Sequence, residues 1–230
     1  MNPEPHLSGH QAKNHQCTPR NPRTPGVNSY MRRIPSQRRS RQAVETIFEA
    51  TAKLIESQGL ESLTTARIAE LAGYGVGTIY EYFSNKNAIL ITMARQELDK
   101  VVRSIQKMLT QGDTGDTITI AQRTIRAVIR GFGGRQRLRG ALLAEMIAHG
   151  HLPELTAPIE MVIEFLRRQN RRPDEDDLTK LPPEQLYVLT RAVIGAIRAW
   201  SMEGGASISP QALEIELTRL VQSYVESAAG

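Results

Sequence analysis

The sequence predicts an all-α protein with a small N-terminal helical domain and a larger C-terminal one, and three observations carry that expectation. From Ser36 onward apolar residues recur at steps of three and four, no segment alternates convincingly as a strand, and clusters of Gly, Pro and Asp punctuate the helical stretches. The 230 residues are 40% hydrophobic and 23% charged, which is ordinary for a globular chain and sufficient for a buried core. The single cysteine, Cys17, cannot form an internal disulfide or hold a structural metal alone, so packing must support the fold. No run approaches the roughly 18 uncharged apolar residues of a membrane span. The N-terminus lacks the apolar core of a signal peptide. The expected compartment is the cytoplasm, with no membrane partner.

Taken in order, Val44, Ile47, Phe48, Thr51, Leu54 and Ile55 form one stripe of a first helix, with Ser36 as its expected N-cap and Gly59-Leu60 as a left-handed C-terminal cap. Thr64 and Thr65 head a short helix through Ile68, Ala69 and Leu71, which ends at Ala72 and Gly73. A second short helix spans about Val76 to Tyr82. Ser84 is the expected cap of a longer helix that runs to the Gly112 to Asp116 break. Further helical patterns cover about 116 to 131, 135 to 149 and 153 to 171. The acidic stretch Asp174 to Asp177 and the pair Pro182-Pro183 read as a linker before a helix at 184 to 203. Pro210 opens a final helix to about Ala228. The expected organisation is an arm at 1–35, disordered and basic, a domain at 36–85 and a second domain at 86–230.

Charge is distributed unevenly. Residues 1–41 hold eight Lys and Arg and one acid, a net +7, while the remaining 21 basic and 23 acidic residues leave the body near neutral. Six of the twelve prolines lie in the first 35 residues, where apolar side chains are too sparse to offset the entropy of ordering. Such an arm either contacts a phosphate backbone or solubilises the chain. Met31, just before the Arg-rich stretch, is also a candidate native start, which the intact mass of the native protein would test.

Function concentrates at 64–86. Four of the eleven aromatic residues, Tyr74, Tyr80, Tyr82 and Phe83, fall within ten positions beside Gly73, Gly75 and Gly77. Two short helices joined by a tight Gly-containing turn are the layout of a helix-turn-helix. Ile68, Leu71, Ile79 and Phe83 are spaced to face inward, which leaves Val76, Gly77, Thr78, Tyr80 and Tyr82 for a DNA groove and its walls. Gly77 permits close approach, Thr78 and the tyrosine hydroxyls can donate to phosphate, Val76 can meet a thymine methyl, and Lys86 adds charge. Thr64 and Thr65 start a helix whose first amides can also face phosphate. Arg38, Arg39 and Arg41 are candidates for phosphate or minor-groove contact. A structural helical hairpin is the plainer alternative. The glycine run follows a helix, with no strand before it, and so is no dinucleotide loop.

The segment TTARIAELAGYGVGTIYEYFSNKNAIL at 64–90 resembles the signature of the tetracycline-repressor (TetR) family, roughly TTxxIAxxAGVSxGTxYxYFxSKxxL, and the specific likeness covers about 38 to 90. By position, the resemblance implies phosphate or base contacts from Thr65, Val76, Gly77, Thr78, Tyr80, Tyr82 and Lys86, with Phe83 in the core. It also implies a homodimeric DNA-binding regulator with an unidentified small-molecule inducer or corepressor in a helical C-terminal domain. Tyr74-Gly75 replaces the family's usual Val-Ser, so the serine that would cap the recognition helix is missing; a glycine cap costs only a few tenths of a kcal/mol.

In the last two helices Leu186, Leu189, Val193, Ile197 and Trp200 step along one face, and Leu213, Leu217, Leu220, Val221 and Tyr224 along the other. These faces are either intramolecular core or, as the resemblance implies, a four-helix dimer bundle in which Leu189, Val193, Ile197, Trp200, Leu217, Leu220 and Tyr224 take part. His149 and His151 read as helix-end residues in preference to metal ligands, and Asp174 to Asp177 as a solvated linker. Missing phosphate-loop, His-Glu-x-x-His and Gly-x-Ser-x-Gly motifs leave no catalytic candidate. The expected function is a dimeric, effector-responsive repressor of a near-palindromic operator, without enzymatic activity or cofactor. An architectural DNA binder and an enzyme with a DNA-binding head are the alternatives.

Overall fold

A computed structural model describes residues 30–110, 116–132, 135–168, 181–204 and 206–229. The expected contacts of the arm at 1–29 and the linker at 174–177 lie outside them. Among the described residues the fold is all-helical: α1 Arg38–Gln58, α2 Thr65–Ala72, α3 Val76–Tyr82, α4 Lys86–Thr110, α5 Thr117–Phe132, α6 Gln136–Ala148, α7 Ala157–Arg168, α8 Pro183–Met202 and α9 Pro210–Ala229, with single 3-10 turns at Leu60–Ser62 and Leu152–Leu155.

Local chemistry sets the boundaries, in places differently from the expectation. α1 starts at Arg38, and Gln37 precedes it without a side-chain cap, because the Ser40 hydroxyl turns back to the Gln37 carbonyl at 2.8 Å and Ser36 lies outside the helix. Gly59 has φ 80° but ψ 168°, so the chain leaves α1 in an extended step and not through a left-handed cap. Asn85, not Ser84, caps α4: its Oδ1 accepts the Ala88 amide at 2.8 Å. The stretch expected as one helix from 153 breaks after Leu155, where the Thr156 hydroxyl donates to the Pro153 carbonyl at 2.8 Å and to Glu160 Oε1 at 2.9 Å. α7 then begins at Ala157.

Two apolar clusters fill the interior. The first joins α1, α2, α3 and α4 as far as Ala94 with Leu138, Leu142, Leu143 and Met146 of α6 and with Leu155. The second begins at Val101 of α4 and takes in α5, α7, α8 and α9. The division between cores therefore falls inside α4, between Leu98, which packs on the first, and Val101 of the second, and α4 is a member of both. Leu71, expected inward, is 50% exposed, because Ile68 and Ala69 already fill the side of α2 that meets α1.

Ion pairs fasten the helices across these layers. Arg135 donates to Glu49 of α1 at 2.9 and 3.1 Å, and the Leu138 amide donates to Glu56 Oε1 at 2.9 Å, so the start of α6 is tied to α1. Arg126 Nε and Nη2 donate to Glu214 at 2.9 and 2.6 Å and join α5 to α9. The Arg126 hydrogen bond holds the Glu214 carboxyl below the usual glutamate range, against the opposing effect of burial. A carboxyl lowered in the folded state contributes stability above its unfolded value, about 4.3, and loses it as pH falls through the folded one. Glu214→Gln should therefore melt below the parent at neutral pH, with the gap closing as melts are repeated below about pH 4.

Candidate nucleic-acid interface

α2 begins where the Thr64 hydroxyl accepts the Arg67 amide at 3.2 Å, and it ends at Gly73 with φ 72° and ψ 28°. That left-handed position suits glycine, which has no Cβ to strain it. Arg67 donates to the Ser62 carbonyl at 2.9 Å and to Gln58, so its charge serves the α1–α2 junction. Gly75 precedes α3 without a side-chain cap. The Gly75 carbonyl accepts the Thr78 amide at 2.9 Å, which closes the first turn through the backbone.

On α3, Ile79 is buried while Val76, Gly77 and Tyr80 are exposed and Thr78 is half-buried. Tyr80, 43% exposed, places its hydroxyl 3.3 Å from Thr65 Oγ1, which brings the first residue of α2 and the centre of α3 onto one surface. Thr64, Arg38, Arg39 and Arg41 are exposed as well. Arg41 Nη2 donates to the Ser36 carbonyl at 3.2 Å.

Two expected contacts are placed differently. Tyr82 is only 6% exposed and its ring belongs to the first core, because α3 turns it toward the side already occupied by Ile79. Lys86 is half-buried and its Nζ donates to the Leu63 carbonyl at 3.1 Å, locking the start of α4 to the residue before the α2 cap.

Residues 30–35, read from the sequence as part of a disordered arm, lie within the described structure, and 30–32 form a strap. Met31 pairs antiparallel with Phe83, and the Arg32 amide donates to the Tyr82 carbonyl at 2.8 Å. The Tyr30 hydroxyl lies 2.8 Å from His151 Nε2, His151 Nδ1 lies 3.0 Å from Glu154 Oε1, and the Arg95 guanidinium sits 4.5 Å above the Tyr30 ring. Arg95 is itself paired with Glu154 at 2.9 and 2.5 Å. With the proton assigned to Nδ1, His151 donates to Glu154 and accepts from Tyr30. Sequence reasoning missed this cluster because its members lie up to 121 positions apart, and no local pattern links them. Tyr30→Phe leaves His151 Nε2 without its partner and is expected to cost about 1 kcal/mol, a few degrees of melting temperature in a thermal scan.

The expected dimer face also changes. Leu189, Val193, Ile197, Trp200 and Leu217 are buried in the chain's own second core, because α8 packs on α6 and α9 on α5. Trp200 Nε1 donates to the Ile208 carbonyl at 2.8 Å. Tyr224 lines the edge of that core, and Leu220 is exposed. His149 Nδ1 lies 2.9 Å from the Glu145 carbonyl at the end of α6. Among the described residues no helix is long and apolar enough to cross a membrane.

An exposed recognition helix, a tight glycine turn and a threonine-capped helix before it, mounted on a larger helical body, define a helix-turn-helix protein with an appended all-helical domain. Residues 47–93 match the family model described as bacterial regulatory proteins, tetR family, so the head of the chain is similar to the DNA-binding domain of those regulators. A curated relative, the HTH-type transcriptional regulator BetI 1 of Chromohalobacter salexigens, is 26% identical over 190 residues, 78% of this chain and 87% of its own length. The fatty acid metabolism regulator protein of Bacillus subtilis is 29% identical over 68 residues, 30% of this chain and 35% of its own length. Among solved structures, the TetR-family repressor FadR of Thermus thermophilus in complex with lauroyl-CoA shares the fold with a TM-score of 0.57 at 21% identity, over 80% of this chain and 93% of that one. FadR of Bacillus subtilis in complex with stearoyl-CoA gives 0.54 at 17% identity, over 76% and 96%.

Proposed function

We propose that the chain acts as a homodimer whose two α3 helices enter successive major grooves of a near-palindromic operator, and that it represses transcription until a small-molecule effector releases it. The observation that carries this reading is the exposed surface of Val76, Gly77 and Tyr80 with Thr65 beside it, free of intramolecular packing duties. In this reading residues 36–85 read DNA, 86–230 hold the effector and the dimer contact, and Arg38, Arg39 and Arg41 add phosphate contacts. The dimer contact belongs to the outer faces of α8 and α9, where Tyr187, Val188, Ile215 and Leu220 stay exposed. One helix-turn-helix reads too few base pairs for specificity, and two-fold symmetry with half-sites about 34–36 Å apart supplies the rest.

The test is selection of bound sequences from a random duplex library by the purified full chain, at near-physiological salt with polyanionic competitor. Enrichment of one inverted repeat is expected. Salt-sensitive binding without a motif would overturn the operator reading and indicate architectural binding.

A further inference from the structure

The strap that ties Tyr30 to the body also carries charge to the head. Arg32, Arg33, Arg38, Arg39 and Arg41 lie within ten positions that hold no Asp or Glu, and all five are exposed. Among the described residues none of the five forms an ion pair. Arg41 donates to the Ser36 carbonyl, and Arg32 Nη1 reaches the Tyr80 carbonyl at 3.5 Å, at the end of α3 where the helix dipole favours a cation. Glu81 on α3 and Glu45, one turn beyond Arg41 on α1, are exposed carboxylates of the same elements. Two acids against five guanidinium groups leave a positive rim beside the surface of Val76, Gly77 and Tyr80.

The backbone beneath that rim is fixed. The Arg32 amide donates to the Tyr82 carbonyl at 2.8 Å, beside the Met31–Phe83 pairing, so the strap is joined to the end of α3. Just before it, Tyr30 docks on the turn after α6, with its hydroxyl 2.8 Å from His151 Nε2 and its ring under the Arg95 guanidinium. Just after it, Arg38 opens α1. Arg32 and Arg33 therefore sit on a short span held at both ends, between the end of α3 and the start of α1. A side chain on a loose arm loses conformational freedom when it binds, and one on a fixed backbone loses less.

We propose that the strap is a second DNA-contacting element: Arg32 and Arg33 bind backbone phosphates beside the base pairs met by α3, and Tyr30, latched to His151, is the positioning residue that holds them there. The inference rests on the operator reading above and adds two contacts together with the device that places them. Exposed guanidinium forks match phosphate oxygens in pairs. Phosphates carry no sequence information, so both contacts strengthen binding to operator and to random duplex alike. His151 lies in the turn after α6, and the placement of the two charges depends on the body as well as on the head.

The test measures binding of the full chain to its selected operator and to a random duplex, by anisotropy over a salt series and well below the melting temperature of every variant. Arg32→Gln combined with Arg33→Gln is expected to weaken both duplexes about tenfold and to flatten the slope of log affinity against log salt by about 1.8, or about 0.9 for each phosphate lost. Tyr30→Ala keeps both arginines and should weaken binding several-fold. Added to the double arginine variant it should cost nothing further, whereas a tyrosine with only a structural role subtracts equally from either background. Arg103→Gln with Lys107→Gln removes the same charge from exposed positions on α4 and should leave binding within twofold of the parent. An unchanged salt slope in the arginine variant, an equal loss in the α4 control, or an additive loss from Tyr30→Ala overturns the proposal. Failure to select any operator would instead strike the regulator reading, and the salt slopes on random duplex would still decide the strap.

Discussion

Tyr80→Ala is expected to weaken binding to the selected operator about tenfold to a hundredfold, with an unchanged helical spectrum. The magnitude follows from the roughly 1–3 kcal/mol carried by one good groove contact, each 1.4 kcal/mol being a factor of ten. Tyr80 packs against little: it is 43% exposed, and its hydroxyl partner within the chain is Thr65 Oγ1 at 3.3 Å. Its removal therefore subtracts from the DNA-facing surface and leaves the core intact. Tyr82→Ala is the internal control, because a ring that is 6% exposed supports the head, and its loss lowers melting temperature first. Fluorescence anisotropy on labelled operator duplex separates the two. Binding by Tyr80→Ala within twofold of the parent would remove α3 as the reading surface.

Phe83→Ala is expected to cost about 3–5 kcal/mol, since truncating a buried aromatic side chain loses transfer energy and leaves a cavity. Phe83 is 0% exposed and lies 5.7 Å from the Phe48 ring, so one change loosens α1 and the end of α3, to which the strap is attached through the Met31–Phe83 backbone pairing. The spatial pattern of the loss is the sharper expectation. Because Leu138, Leu142, Leu143 and Met146 share the first core, amide-exchange protection should fall over 138–146 as well as 43–94, while α5 and α9 keep theirs. Loss confined to residues before 86 would contradict the placement of the core division inside α4.

The helix-turn-helix was legible in the sequence nearly to the residue because its causes are local. Thr64 supplies a cap, Gly73 a left-handed turn, and the spacing of Ile68, Ile79 and Phe83 an inward face, all within twenty positions. Leu71 and Tyr82 went the other way because periodicity gives the spacing of a face and not its width: α2 is short enough to bury only Ile68 and Ala69, and α3 turns Tyr82 toward Ile79. The capping of α4 slipped by one residue, since Ser84 and Asn85 are both good caps and only backbone geometry chooses between them.

By itself, the sequence determined the helical class, the position of each helix to within a few residues, the basic character of the arm and the family of the DNA-binding head. These depend on side-chain period, capping chemistry and charge, which act over one or two turns. Only the tertiary structure decided that α4 belongs to two cores, that α8 and α9 spend most of their apolar stripes inside their own chain, and that Tyr30 reaches His151 and Arg95 across the molecule. Burial is a property of the whole packed assembly. An apolar face at helical spacing looks the same whether its neighbour is α5, α6 or a second copy, and the geometry of packing alone assigns it.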